Sequence, residues 1–466
     1  MHKKKQEIKT LYTMAAEKDI IVALELATTS IRAIAGQRMP DGSMQVLAFA
    51  EENASNCIRK GIIDNIDKTT QAISRVLGQI GLQLGMTISR IYVGLSGQSL
   101  HSVQNRIQRS FAEKTQISNN MIDQLMDTNR GVVYTDSEIL EVIPQEYKVG
   151  NRAVPDIVGM QVEQMEANFL NIIARSSLSE NIEKCVNGAG FEIAELLITP
   201  LTLGNCILNA SEKRSGCALV DIGADTTTLK IYSNNILRKL VVIPMGAGNV
   251  TMDIANCLTI ETEEAEALKL KYGRAWLEDH DTAQHNLLQL SHGREISESR
   301  LCDIIEARYE EILRNVWAQI EDDSDKLTSG IVFTGGGAQM RYLAEAFQQI
   351  TNKSKQIRIV KGLPTDICIG SNIYVPDNGR LNSILSLLLQ GDQNCITNIP
   401  AHNAEEEVAI TAPVTIEQKT EEDTTDKLPN TADVGNEEPE TTNEEPKKKK
   451  RKFWEILKGA LTEDEE

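Results

Sequence analysis

Cys217 to Tyr232, CALVDIGADTTTLKIY, is the stretch on which the fold turns. An apolar run, Ala218-Leu219-Val220, ends in the carboxylate of Asp221. Gly223 and Ala224 make a small-residue turn, and three threonines lead into a second apolar run. The pattern is strand, tight turn, strand. Such a turn can present backbone N–H groups and Thr hydroxyls to a phosphate, with the carboxylate at the strand end beside a hydrated Mg²⁺. A plain β-hairpin with a polar tip has the same pattern, and the segment alone does not separate the two.

The layout occurs twice. Ile20 to Gly36, IIVALELATTSIRAIAG, again runs from an apolar strand to an acid (Glu25), a small residue (Ala27), Thr28, Thr29 and a second apolar strand. Each copy continues through a turn into a third apolar run, Gln45 to Ala50 and Ile236 to Ile243. The acids lie 196 residues apart. Two β-β-β units with phosphate-type turns predict two related domains facing one another across a nucleotide.

Composition narrows the partners. A chain of 466 residues has room for two to four domains, and 41% apolar content is that of a folded protein. A net charge of −19 and only 4% aromatic residues argue against nucleic acid as a partner. The eight cysteines form no C-x-x-C pair, so neither a zinc site nor a disulfide framework is expected. The N-terminal 19 residues lack the apolar core of a signal peptide, and no run reaches the roughly 18 apolar residues of a spanning helix. The expectation is a cytosolic chain, attached to a membrane only peripherally if at all.

Along the chain, Ile73, Val76, Leu77, Ile80 and Leu84 fall at helical spacing from about Asp67, with Gly85 as the stop. Arg90 to Leu95 reads as a buried strand. Residues 101–175 read as short strands around a helix near Asn119 to Thr128, a small α+β insertion or a continuation of the first domain. Ser179 is the expected cap of the next helix, and Thr199-Pro200-Leu201 opens another. Glu266 and Lys269 lie one turn apart on a helix, which by itself fits a surface ion pair. GIVFTGGGAQ, Gly330 to Gln339, runs a strand into three glycines and then a helix from about Met340; missing Cβ atoms let backbone approach a flat ligand. Arg300 to Ile320 is a long helix carrying Arg308 and Glu311.

Taken in order, ELATT, VDIGADTTT, EAEALK and VFTGGGAQ resemble the two phosphate loops, the ribose contact and the adenosine loop of the superfamily of actin, heat-shock chaperone ATPases and sugar kinases. Within it the chain is most similar to FtsA, the bacterial division actin. The resemblance spans about Asp19 to Gly391 and includes IRKGIIDNI, YVGLSGQSLHSVQN, VIPQEY and IPMGAGNVTMDIA. It implies an α/β, actin-like ATPase fold, with two related domains around a nucleotide cleft and a small α+β subdomain inserted in the first. The expected division is 1–18 flexible, 19–100 with 176–210 the first domain, 101–175 the insert, and 211–392 the second domain, its smaller subdomain at about 262–330. A disordered acidic linker at 393–446 and a basic amphipathic helix at 447–466 complete it.

The same resemblance implies roles. Glu25, Thr28, Thr29, Asp221, Gly223, Thr226 and Thr227 would hold the phosphates of ATP and Mg²⁺, with Glu25 and Asp221 nearest the metal. Glu266 and Lys269 would meet the ribose and base edge, and Gly335, Gly336 and Gly337 the adenine. Arg308 and Glu311 match a stretch that in FtsA docks the tail of the tubulin-like FtsZ; an ordinary helix-surface ion pair is the alternative. Two departures from the family pattern stand out: Ser30 occupies the usual cation's place, and Asp225 adds an acid near the phosphates. No Gln or Glu at Thr199-Pro200-Leu201 is available to orient water, so at most weak ATPase activity is expected.

The end of the chain changes sign. Ala401 to Pro446 holds 14 acids against 2 lysines, with few apolar residues, and reads as disordered. Its 46 residues span roughly 35 to 40 Å as a flexible coil. KKKKRK follows, ending in Lys450, Arg451 and Lys452. Phe453, Ile456, Leu457, Ala460 and Leu461 would share one side of a short helix, with Trp454 beside them. This is the pattern of a peripheral anchor for an anionic membrane; a peptide for another protein's groove or a nuclear-localisation-like run fits too. The FtsA resemblance favours the anchor. It implies self-association, FtsZ and other division proteins as partners, and a place on the cytoplasmic side of the cell membrane at the septum. A heat-shock-type chaperone would need a β-sandwich after Gly391, a sugar kinase a cleft Asp and a substrate. A pilus-assembly homologue would lack the basic tail.

Overall fold

Both predicted hairpins are present, closed by the same bond. The Ala27 N–H donates to the Ser30 carbonyl (3.0 Å), and the Gly223 N–H to the Thr226 carbonyl (2.9 Å). The computed structural model describes residues 19–397 except 151, 278–284, 353–354, 363–365, 371–372 and 377. The acidic linker from 398 and the whole basic segment, Lys450 to Leu461 included, lie outside the described residues.

Each hairpin seeds a sheet of one design. In the first, Ile20–Leu26 pairs antiparallel with Ser30–Arg38, which pairs with Met44–Asn53; on its other side it lies parallel to Arg90–Leu95, then Glu192–Ile198. In the second, Cys217–Ile222 pairs with Thr227–Ser233, then Ile236–Ile243, and on its other side runs parallel to Ile331–Thr334, then Ile357–Ile359. Repeated order across 196 residues makes this an actin-like ATPase fold. The central strands are covered on both faces, which is why they read as unbroken apolar runs. Ala218, Val220 and Ile222 face one core, while Cys217 and Leu219 face the core shared with the first sheet.

Helices cover the faces. Ile66–Leu84 buries Ala72, Ile73, Val76, Leu77 and Ile80. Asn65 caps it by accepting from the Lys68 N–H at 2.9 Å, a contact worth about 1 kcal/mol. Ala247–Leu258, Thr262–Tyr272 and Glu298–Ile320 gather on the second sheet's outer core. Thr199–Ile207 and Asn382–Gln390 meet through the hydroxyls of Thr202 and Ser386, 2.9 Å apart.

Several expectations need correction. Ser179 is not a cap: the helix begins at Ser176, and the Ser179 hydroxyl donates instead to Glu138 and the Ser176 carbonyl. The helix placed at Met340 starts at Leu343, because a 3-10 turn over Gly337–Gln339 and a left-handed Tyr342 (φ 62°) intervene. The folded body does not close at 392, just before the expected linker. The Cys395 N–H donates to the Ile20 carbonyl at 2.8 Å, and Ile396–Thr397 pairs with Thr87–Ile88. The Tyr92 hydroxyl accepts from the Asp392 and Gln393 amides, holding this return against the first sheet. Chain order groups Ile367–Ile369 with the second half, but it pairs with Met44–Asn53 at the first sheet's edge.

Residues 101–175 form a third core, with Met165, Phe169 and Ile157 at its centre. Its strands His101–Gln116, Gln161–Arg175 and Ser137–Val149 extend the second sheet rather than the first, through the bridge Val241↔His101. Arg238 clamps the junction: its Nη1 donates to Gln145 Oε1 (3.1 Å) and Glu146 Oε2 (2.7 Å). Arg238→Ala is expected to lower stability by about 1 kcal/mol, the scale of a partly exposed bidentate pair. It should also speed hydrogen exchange at the Leu240 amide, which donates to Ser102 Oγ at 2.9 Å. Unchanged exchange there would show that the clamp does not hold the insert.

Candidate functional site

The two hairpins bring their acids to one place. Glu25 is the last residue but one of its strand, opposite Arg32, and Asp221 holds the same place in its own, opposite Thr228. Burial pushes both carboxyls above their usual range, and the charge of Asp221 pushes Glu25 further. Opposing this, Arg32 Nη1 lies 3.1 Å from Glu25 Oε2 and its Nε 3.0 Å from Glu51 Oε1. Arg32 Nη1 also donates to the Arg380 carbonyl at 3.3 Å, and the Arg380 guanidinium pairs with Glu51. Ser30 leaves the usual cation's place without a charge, but an arginine two residues on, buried on the same strand, serves the acid of the first loop. The signal was in the sequence. Arg32 stands alone among Ile31, Ala33, Ile34 and Ala35, and a charge inside an apolar strand needs a partner.

Asp221 has a counterpart of its own. Lys230, fully buried on Thr227–Ser233, lowers the Asp221 carboxyl while its Nζ donates to the Pro200 carbonyl at 3.1 Å. Burial pushes the Lys230 ammonium down to about 8. Sequence reasoning passed over this lysine too.

The loop residues differ in availability. Thr28 Oγ1 accepts from the Gly61 N–H at 3.3 Å, and Thr29 is exposed. Thr226 is half-buried, whereas Thr227 is buried and donates to the Met245 carbonyl at 2.8 Å. The second turn is docked on the helix that follows: Ala247 and Gly248 donate to the Gly223 and Ala224 carbonyls at 2.9 and 2.7 Å.

The three glycines have three environments. A Cβ on Gly335 would lie 2.4 Å from Asp221 Oδ1, and one on Gly337 would lie 2.4 Å from Ile222 Cγ2. Gly336 has only Arg380 Cγ, at 4.0 Å. The Tyr309 hydroxyl donates to the Gly337 carbonyl at 2.8 Å, fixing the loop on the long helix. Lys269 is buried, its Nζ 2.7 Å from Glu266 Oε2 and from Thr251 Oγ1, and 3.1 Å from the Ala247 carbonyl. This is no surface pair, since it ties the helix of Glu266 to the one behind the second turn. Arg308 likewise reaches off its own helix, with Nε 2.6 Å from Asp253 Oδ2, besides pairing with Glu311. Asp253 was not foreseen.

The chemistry of the set suits a magnesium nucleotide. Among the described residues no three His, Cys, Asp or Glu side chains converge as a metal cage. Two carboxylates beside phosphate-type turns are instead what Mg²⁺ uses when phosphates complete its shell. Asn382 adds a buried Oδ1 without a hydrogen-bond partner, its Nδ2 donating to Thr334 Oγ1 at 3.1 Å beside the glycine loop. A separate cavity of about 500 Å³ lies between the insert and the second sheet, lined by Ser102, Gln104, Arg238, Lys239 and Lys326. Its cations are already engaged, by Glu146, the Gln319 carbonyl and Asp323.

Comparison with known proteins gives a consistent picture. Residues 218–375 match the family model of cell division protein FtsA, and residues 97–173 match that of the SHS2 domain inserted in FtsA. Together the two matches cover half the chain. Cell division protein FtsA of Pseudomonas aeruginosa is 29% identical over 373 residues, 78% of this chain and 88% of that one. The Escherichia coli K12 protein of the same name is 28% identical over 367 residues, 76% of this chain and 86% of its own. Among solved structures, a chain of the PilM-PilN type IV pilus biogenesis complex superposes with a TM-score of 0.56 at 15% identity. It covers 79% of this chain and 98% of that one, a likeness of fold.

Proposed function

The chain belongs to the FtsA family of cell-division proteins, and on that basis we propose that it binds ATP with Mg²⁺ between its two sheets, self-associates, and ties FtsZ filaments to the cytoplasmic face of the membrane. The observation that carries the nucleotide part is the convergence of two carboxylates, the buried Glu25 and the half-buried Asp221, from two phosphate-type turns of one design. In this reading Glu25 and Asp221 position the metal, and Thr28, Thr29, Gly223, Thr226 and Thr227 line the phosphates. Glu266 and Lys269 meet the ribose, and Gly335 to Gly337 the adenine. Mg²⁺ would supply charge neutralisation for the phosphates. Bound nucleotide sets conformation or polymerisation rather than turning over quickly, because Thr199-Pro200-Leu201 offers no Gln or Glu to orient water.

The membrane part rests on the basic, amphipathic end. Lys450, Arg451 and Lys452 would meet anionic headgroups, each contributing on the order of 1 kcal/mol. Phe453, Trp454, Ile456, Leu457 and Leu461 would enter the interface. Among the described residues no helix is long and apolar enough to cross a membrane, so attachment would be peripheral. FtsZ would dock near Arg308 and Glu311, with other division proteins as further partners.

The test is co-sedimentation with anionic liposomes and ATP, comparing the full chain with one ending at Pro446, with and without FtsZ. The full chain is expected to pellet and carry FtsZ with it, and the truncated chain to leave both in solution. Pelleting that survives truncation would refute the anchor and leave the basic segment to be tested as a protein-binding peptide.

A further inference from the structure

Two adjacent amides of one loop face the two phosphate-type turns. The Gly61 N–H donates to Thr28 Oγ1 of the first turn at 3.3 Å, and the Lys60 N–H to Asp225 Oδ2 of the second at 3.4 Å. Both loop residues have positive φ, 49° at Lys60 and 73° at Gly61. Lysine rarely adopts that conformation; the two residues form the tight turn between the paired strands Ile58–Arg59 and Ile62–Ile63, and direct one N–H to each phosphate-type turn. The loop is held firmly. A Cβ on Gly61 would lie 2.6 Å from Gly97 Cα, and the Gln98 N–H donates back to the Lys60 carbonyl at 3.1 Å. Asp225 therefore reaches a pre-formed site.

Its other oxygen faces a second anion-favouring group. A Cβ on Gly248 would be 3.2 Å from Asp225 Oδ1, which places the carboxylate over the first turn of the 12-residue helix Ala247–Leu258. The positive end of a helix favours negative charge there. Free backbone N–H groups of a tight turn and a helix end are both devices with which proteins hold phosphate. Here a carboxylate of the chain itself joins them, and it links the second sheet's turn to a loop of the first half.

We propose that Asp225 is a tethered anion that latches the cleft in the absence of nucleotide, engaging the Lys60 N–H that a terminal phosphate of ATP would otherwise take. The proposal rests on the nucleotide reading above and adds its regulation. ATP must displace the carboxylate, and does so against repulsion between like charges. The latch therefore weakens ATP binding and couples phosphate entry to release of the two halves.

The experiment uses the full chain and MgATP, with calorimetric titration of wild type, Asp225→Asn and Asp225→Ala, and hydrogen exchange at the Lys60 amide without nucleotide. Both variants are expected to bind MgATP about tenfold more tightly, equivalent to about 1.4 kcal/mol. The Lys60 amide should exchange faster in Asp225→Ala. Wild-type binding with equal or weaker binding by both variants overturns the latch and leaves the nucleotide reading standing. Weaker binding would mark Asp225 as a helper of the metal instead. If none of the three proteins binds MgATP, both readings fall.

Discussion

Gly335→Ala is expected to lower stability by about 3 kcal/mol or more and to abolish ATP binding, while Gly336→Ala leaves stability within about 0.5 kcal/mol of wild type. The contrast follows from where each Cβ would go. At Gly335 the backbone sits at φ 90°, where an L side chain is strained, at a cost of about 1–3 kcal/mol. The new methyl would also meet Asp221 Oδ1 at 2.4 Å and the Ile222 carbonyl at 2.6 Å, contacts that real Cβ atoms do not make. Relieving them displaces strands packed on both faces, an overpacking cost of about 1–3 kcal/mol more. Asp221 would move away from Glu25, and the pair of acids would be lost as the proposed metal site. At Gly336 the methyl would enter open space beside Arg380 Cγ. That variant isolates the ligand contact: if adenine lies on the loop, ATP binds more weakly while the melting transition stays in place. Chemical denaturation and MgATP titration of both variants decide the matter. A stable, ATP-binding Gly335→Ala protein would show that the site does not depend on this geometry.

The sequence made the hairpins legible because each states its own local rule. An apolar run, an acid, a small-residue turn and a second apolar run leave little choice of local structure, and repetition identifies the two halves. What it concealed was pairing at a distance. The insert, read as part of the first domain, extends the second sheet through His101 and Val241, a juxtaposition made by residues far apart in the chain and not by any local pattern. Ile367–Ile369 crosses back to the first sheet for the same kind of reason, an open strand edge some 320 residues earlier in the chain. The candidate site was legible in its acids, threonines and glycines insofar as they belong to motifs. It was not legible in its cations. Arg32 and Lys230 are each a single charge inside an apolar strand, and only the fold shows that the nearest buried acid is Glu25 or Asp221.

Lys230→Met is expected to change how stability depends on pH. The wild-type ammonium is fully buried, and its folded-state pKa falls to about 8 from an ordinary 10.5. Desolvation is the main cause, Asp221 opposes it, and Lys213 adds to it. Between these two values the unfolded chain holds the proton and the folded chain has released it. The unfolded state therefore binds more protons, and stability contributed at this site rises with pH from about 8 to 10.5, flat on either side. The gain across the window is about 3 kcal/mol, at 1.36 kcal/mol for each unit of pKa. Methionine has no proton to release. Relative to the variant, wild type should therefore gain roughly 3 kcal/mol between pH 7.5 and 10.5, with every other titrating group common to both. At pH 7.5 the variant escapes the cost of a buried charge, but it strands the Pro200 carbonyl and leaves Asp221 without its cation. The difference between the two pH values is free of that competition. Urea titrations of both proteins at pH 7.5, 9 and 10.5 measure it, and a difference that stays constant across the three would mean Lys230 is not buried as a charge. The same variant should make MgATP binding more sensitive to acid. Without Lys230 nothing opposes the desolvation of Asp221, so a proton would compete with the proposed metal for that carboxylate at a higher pH than in wild type.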